Sequence, residues 1–339
     1  MSFGLNELWF LLIAILFIGF FILEGFDFGV GMSTRFLARG QKERDQLIAT
    51  IGPFWDANEV WLLTAGGAIF AAFPEWYATM FSGYYLPFVL FLFALIVRGV
   101  AFEFRHKVEP KWVSFWDWMI FIGSIIPAFV LGVLFTSLVR GMPIDASKNM
   151  YAGFSDYFNL YSLVGGIAMV VLCLVHGLTF IGIRTEGPIR ERAQRCLMNM
   201  FIALFGGLIL FAALTYTSTD LFTARPLATP LLLGGAVVTA VLGYLFAAKR
   251  KEGLAFTMTA LTMLFTVGTL FAGLFPRVMV SSINEAFNLT IHNAASGPYT
   301  LKVMTYVSLT LLPFVLGYTI WSYYVFRKRI GADDAVGHE

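Results

Sequence analysis

The sequence predicts an all-α, polytopic membrane protein with nine transmembrane helices. Three observations carry this reading. Hydrophobic residues make up 58% of the 339, and charged residues only 13%, about half the share found in soluble domains. Apolar runs long enough to cross a bilayer recur from one end of the chain to the other. Basic residues gather in alternate loops, as they do in a chain that threads a membrane repeatedly.

The nine apolar segments read as helices because backbone facing lipid must satisfy its own hydrogen bonds. The first, 8–31, has no basic region before it and no small-residue cleavage site after it, so it reads as a retained helix and not as a signal peptide. The second, 51–73, contains "PFWDANEVWLLTAGG". The third, 79–102, encloses Arg98, and the fourth, 114–139, carries Asp117 near its start. The fifth, 157–183, holds Cys173 and His176. The sixth and seventh, 197–216 and 229–248, are joined by a short polar stretch at 217–228. The eighth is 254–275, and the ninth, 302–326, runs into "FRKR". "AIFAAFPEWY" after the second segment and "TLFAGLFPRV" after the eighth read either as an internal echo or as chance likeness between apolar stretches. Trp9, Trp76, Tyr77, Trp112 and Tyr324 lie at segment ends, which suits an interfacial belt.

Charge orients the chain. One set of loops carries Arg35, Arg39, Lys42 and Arg44, then Arg105, Lys107 and Lys111, then Arg184, Arg190, Arg192 and Arg195, then Lys249, Arg250 and Lys251, and finally Arg327, Lys328 and Arg329. The other set has only Arg140, Lys148, Arg225, Arg277 and Lys302. The positive-inside rule places the N-terminus outside and the C-terminus in the cytoplasm, as an odd number of spans requires. The net charge of +2 is too small to suggest nucleic acid. Cys173 and Cys196 form no metal motif, and their spacing argues for no disulfide.

Charged residues within apolar segments are costly and point to function. Glu24 and Asp27 share one helix face, as do Asp56 and Glu59, each pair being spaced i,i+3. With the orientation above, Asp27 and Asp56 lie about 6–8 Å from the inner ends of their helices, and Glu24 and Glu59 about 10–12 Å in. Close carboxylates repel when both are ionised, so one of each pair is expected to hold a proton more tightly. Arg98 offsets part of the charge, and Asn58 adds a polar contact. Asp27, Asp56 and Arg98 read as a buried network, either a proton path from the cytoplasm or a packing device. Asp117 and Glu103 read as interfacial residues that reach water, and His176 as a hydrogen-bonded core histidine. Of His106, His176, His292 and His338, only His176 lies inside a segment, so a buried bis-histidine heme site cannot be built here. Two further functions stay open at this point: a clamp for another subunit, and an independent secondary transporter. The shallow depth of the polar layer argues against the second.

Long motifs carry a resemblance. "EGFDFGVG" at 24–31, "WDANEVWLLTAGGAIFAAFPEWYA" at 55–78, the arginine of "LIVRGVAFEFR", "WDWMIFIGS" and "LFPRVMVSS" resemble subunit II of the bacterial cytochrome bd quinol oxidase, and the likeness runs through nearly the whole chain. The resemblance implies two four-helix bundles plus a peripheral ninth helix, here 1–140, 141–275 and 276–339. It implies a complex in the bacterial cell membrane that oxidises a membrane quinol and reduces dioxygen to water with protons from the cytoplasm. It places heme b and heme d in a partner, subunit I, forming a pseudosymmetric heterodimer with this heme-free chain. A small single-helix subunit accompanies many such complexes, and some members hold a structural quinone in subunit II; otherwise this chain is expected to meet lipid. Asp27 and Asp56 fall on acidic positions proposed to serve proton entry, and Trp55 and Arg98 on characteristic positions. Glu24 and Glu59 stand where other members have aspartate and glutamine, so the second adds a carboxylate to the path. The segment 217–228 is shorter than the hydrophilic insertion of some members, which removes support for any outer contact made by it.

Overall fold

The computed structural model describes residues 4–331 and 333, so the expectation placed on His338 lies outside the described residues. The described chain is helical almost throughout. Its helices are α1 (Leu5–Phe36), α2 (Gln41–Ile51), α3 (Trp55–Ala72), α4 (Pro74–Gly83), α5 (Tyr85–Phe104), α6 (Pro110–Arg140), α7 (Phe154–Tyr157), α8 (Leu160–Arg184), α9 (Pro188–Ser218), α10 (Leu221–Ala224), α11 (Ala228–Ala248), α12 (Glu252–Leu274) and α13 (Pro298–Val325). A two-stranded antiparallel ribbon, β1 (Arg277–Met279) with β2 (Leu289–Thr290), interrupts them before α13.

Among the described residues, eight helices are long and apolar enough to span a membrane: α1, α5, α6, α8, α9, α11, α12 and α13. The sequence reading expected nine. The segment that falls short is α3, whose 18 residues open with Asp56, Asn58 and Glu59. The third expected segment is divided at Tyr84 into α4 and α5. The expected loop 32–50 contains α2, which buries Gln46, Leu47, Ile48, Thr50 and Ile51. Phe73-Pro74 leads into another helix whereas Phe275-Pro276 leads into β1, so the two similar stretches part after the proline.

The helix α1 lies at the centre, packed against α3, α6, α8 and α12. Small residues permit its closest approach: a Cβ on Gly29 would stand 2.7 Å from the Gly177 Cα on α8. Such backbone-to-backbone contact substitutes for the hydrophobic driving force that lipid does not supply. Phe17, Phe135 and Phe271 from α1, α6 and α12 meet edge-on or tilted within 5.0–5.8 Å. In contrast, α13 buries only Leu301. Trp9 and Trp76 are 4% and 1% exposed, which removes them from the expected interfacial belt. Trp9 instead donates its indole N–H to the Leu301 carbonyl (3.2 Å) and the Thr305 hydroxyl (3.1 Å), joining α1 to α13.

The basic loops meet at one end of the helix array. Arg192 pairs with Glu43 at 2.5 Å, Arg250 with Glu191 at 2.7 Å, and Arg190 and Arg329 both with Glu252 at 2.8 Å. The chain after α13 is strapped across this end. Arg184 holds the carbonyls of Phe326 and Lys328, and Gln46 donates to the Ile330 carbonyl at 2.7 Å. At the other end, Arg277 grips Asp220 with two bonds of 2.6 and 2.9 Å, and Lys148 reaches the Asn293 carbonyl.

Candidate functional site, a buried carboxylate and arginine cluster

Four helices bring their polar residues together. Glu24 and Asp27 come from α1, Asn58 and Glu59 from the first turns of α3, Arg98 from α5, and Tyr323 from the last turn of α13. Glu24, Asp27 and Arg98 are completely buried, and Asn58 is 1% exposed. On α1 the two acids share one face, as their i,i+3 spacing requires, and on α3 the adjacent Asn58 and Glu59 reach Asp27 and Arg98 respectively.

Arg98 is the hub. Its Nη1 donates to Glu24 Oε1 and, at 3.0 Å, to Glu59 Oε1, so one guanidinium joins three helices. Its plane lies near the rings of Phe28 (4.9 Å) and Phe102 (5.2 Å), a favoured setting for a cation with little hydration. Gly123 on α6 makes room: a Cβ there would stand 2.6 Å from the Arg98 Cβ. Asp27 is reached separately. Asn58 Nδ2 donates to Asp27 Oδ2 at 2.6 Å, and the Tyr323 hydroxyl donates to Asn58 Oδ1 at 2.9 Å. Glu24 Oε2, Asp27 Oδ1, Arg98 Nε and Arg98 Nη2 are buried without a hydrogen bond to a fixed protein donor or acceptor, though the Glu24 and Asp27 carboxyls lie within hydrogen-bonding reach of one another. Polar atoms in that position are ordinarily met by internal water.

Of the residues singled out in the sequence, the structure thus joins Glu24, Asp27, Asn58, Glu59 and Arg98. It does not bring Asp56 into the buried network. Asp56 is exposed in this chain, and its carboxylate has no hydrogen-bond or ion-pair partner among the described residues. Asp56 lies on the Glu59 side of α3, one turn nearer the helix start, and about 200° around the helix from Asn58, which bonds to α1. Trp55 is half-buried and packs on Phe102 (5.1 Å) beside Gly99. Tyr323 was not singled out. A phenol near the end of an apolar helix was its only signal in the sequence, and its neighbour Tyr324, which is 62% exposed, fits the interfacial role better.

A second buried cluster lies at the basic end. Asp117 is fully buried and accepts from Arg105 Nε at 2.7 Å, while Arg105 Nη1 holds Asp45 at 2.6 Å. The expectation that Asp117 reaches water is therefore wrong; Arg105, itself 3% exposed, neutralises it inside the protein. Glu103, by contrast, is largely exposed beside Lys107. His176 is a fully buried core residue, as expected. Its Nε2 donates to the Ile22 carbonyl (3.0 Å), so in the neutral ring Nδ1 accepts from the Thr259 hydroxyl (2.7 Å). Both cysteines are free, and no group of three His, Cys, Asp or Glu among the described residues is placed to hold a metal ion.

With this geometry in hand, the chain can be compared with known proteins. Residues 5–326 match the family profile of cytochrome bd terminal oxidase subunit II. The chain is 58% identical over 328 residues to the cytochrome bd ubiquinol oxidase subunit 2 of Bacillus subtilis, covering 96% of this chain and 97% of that one. It is 37% identical over 366 residues to the cytochrome bd-I ubiquinol oxidase subunit 2 of Escherichia coli strain K12, covering 97% and 96%. Its fold matches a chain of the bd oxidase from Geobacillus thermodenitrificans with a TM-score of 0.77 at 17% identity, covering 96% of this chain and 99% of that one. The chain therefore belongs to the cytochrome bd terminal oxidase subunit II family.

Proposed function

We propose that this chain is the heme-free subunit of a complex that oxidises a membrane quinol and reduces dioxygen to water, and that its buried carboxylates carry protons toward the heme-bearing partner. The names of its relatives support the reaction. We take α3 as a ninth span, with α1, α3, α5 and α6 as one four-helix bundle, α8, α9, α11 and α12 as a second, and α13 outside both. The corresponding divisions are 1–140, 141–275 and 276–339. The gathered basic loops face the cytoplasm under this reading, which puts the N-terminus outside. The apolar faces of α3, α5 and α13, exposed at Leu63, Phe93 and Phe314 among others, then meet lipid, the heme-bearing subunit of a pseudosymmetric heterodimer, or a small single-helix subunit.

One observation carries the proton role. Ionisable groups run from an exposed carboxylate, Asp56, through Glu59, one turn along α3, to the fully buried Glu24 and Asp27. Glu59 and Glu24 share Arg98. Two carboxylates bond one guanidinium and a third, Asp27, lies close by on α1, so a proton taken up by the cluster neutralises charge that burial would otherwise make costly. The oxygens of Glu24 and Asp27 that accept from no fixed donor are where water can hand over that proton. Asp56 serves as the collecting group, Arg98 keeps the acids together, and Trp55 walls the path.

Turnover and heme content measured together in the membrane-embedded complex test this. Glu24→Gln, Asp27→Asn and Asp56→Asn are each expected to slow dioxygen reduction by about 10-fold or more while heme content stays at the parent level. Normal turnover in all three would remove the proton role. Loss of heme in step with activity would make the acids a structural clamp.

A further inference from the structure

The cluster has two members that the proton reading does not use, Asn58 and Tyr323. Tyr323 belongs to α13, a helix that touches the rest of the chain sparingly, yet its ring is held from several sides. It stacks on Phe54 at 4.3 Å with the planes 4° apart, and it meets Phe26 edge-on at 6.3 Å. The turn that follows is fixed by Arg184, which holds the carbonyls of Phe326 and Lys328. Packing of this kind requires only a ring. The hydroxyl does something separate: it donates to Asn58 Oδ1.

A carboxamide has a carbonyl at one side and an NH2 at the other, and a donor bound to the carbonyl decides which way it faces. With Tyr323 on Oδ1, the NH2 of Asn58 is directed at α1, where it reaches Asp27 Oδ2 at 2.6 Å and the Leu23 carbonyl at 3.5 Å. Asp27 Oδ2 is then occupied as an acceptor. The remaining oxygen, Oδ1, is buried and receives no N–H or O–H from the chain, while the Glu24 carboxyl lies within hydrogen-bonding reach of Asp27 as a neighbour that can share a proton with it.

We propose that Tyr323 is a positioning residue for proton transfer: its hydroxyl fixes the Asn58 amide so that Asp27 binds and releases a proton at Oδ1 alone. The inference rests on the proton role of Asp27 proposed above and adds to it a residue from the last helix. Losing the hydroxyl frees the amide to turn its carbonyl toward Asp27, which opens a second site for the proton and slows its passage.

The test uses Tyr323→Phe, which keeps the stacked ring, in the assembled complex in membranes. Heme content is expected to match the parent. Turnover is expected to fall about 3- to 10-fold, the loss of one hydrogen bond, and the solvent deuterium isotope effect on turnover is expected to rise. Tyr323→Phe combined with Asp27→Asn is expected to be no slower than Asp27→Asn alone. If Asp27→Asn is slow while Tyr323→Phe keeps parental turnover and isotope effect, the positioning role is overturned and the proton reading stands. If Asp27→Asn itself turns over normally, both fall. If Tyr323→Phe loses heme while turnover per heme is unchanged, the hydroxyl is structural and the proposal is overturned.

Discussion

Removing the arginine at the hub of the cluster tests its energetics directly. In Arg98→Met, the Glu24 carboxylate, fully buried, and the Glu59 carboxylate, 20% exposed, lose their shared cation. Breaking a buried ion pair on one side costs about 3–5 kcal/mol, because a charge is left uncompensated. Unfolding entropy for a chain of this length is about 0.7 kcal/mol/K, so the midpoint is expected to drop by roughly 4–7 °C. Adding Glu24→Gln removes the more deeply buried of the stranded charges and is expected to recover at least about half of the loss, the sign of coupling that neighbours in one network show. Apparent midpoints of the purified complex, followed by heme absorbance at one fixed heating rate, measure this under irreversible unfolding. The reasoning is refuted if Arg98→Met melts within about 1 °C of the parent, or if adding Glu24→Gln lowers the midpoint further.

Three other outcomes follow from the same structure. In Gly177→Ala the new methyl would stand 2.5 Å from the Gly29 Cα; forcing α1 and α8 apart is expected to cost about 1–3 kcal/mol, and an unchanged midpoint would contradict the close approach. Glu43 at the basic end is held below the usual glutamate range chiefly by the hydrogen bond from Arg192, with partial burial opposing. A lowered folded value means its stabilisation is complete above the ordinary carboxyl range and fades as pH falls through the folded value. Amide protection in α2, taken relative to the intrinsic exchange rate at each pH, is therefore expected to fall in acid, and Glu43→Gln is expected to give similarly low protection at neutral pH. Arg184→Ala should release the strap after α13 and speed trypsin cleavage at Arg327, Lys328 and Arg329 several-fold; an unchanged digestion rate would show that Gln46 and the Thr185–Ile330 bridge suffice.

The long spans were legible because lipid leaves backbone no alternative to internal hydrogen bonding, and apolar length follows from bilayer thickness. The segment read at 229–248 is α11 at Ala228–Ala248, and the one at 254–275 is α12 at Glu252–Leu274. The helix α9 begins nine residues before its expected start, since its first turns project past the apolar stretch and carry charge: Arg190, Glu191 and Arg192. The helix α2 was hidden for a related reason. Its apolar residues Leu47, Ile48 and Ile51 form too short a pattern to outweigh "QKERD".

Within the site, i,i+3 spacing revealed which acids share a face, but not where along that face burial begins. Glu59 pairs with Arg98, whereas Asp56, one turn nearer the start of α3, stays exposed, a distinction of position along the axis and not of face. The partnership of Arg105 with Asp117 depends on how α5 and α6 meet, and Tyr323 enters from 265 residues beyond Asn58. Contacts of that kind carry no local periodicity to read.

The bond between Asn58 and Tyr323 also sets an order on biosynthesis. Asn58 emerges from the ribosome early and enters the bilayer with the first helices, whereas Tyr323 is made close to the end of the described chain. Through most of translation the amide must rely on water or a transient neighbour, and the cluster closes only when the last span arrives. A polypeptide stopped short of that point would carry an open polar seam between α1 and α3 where Tyr323 otherwise closes it.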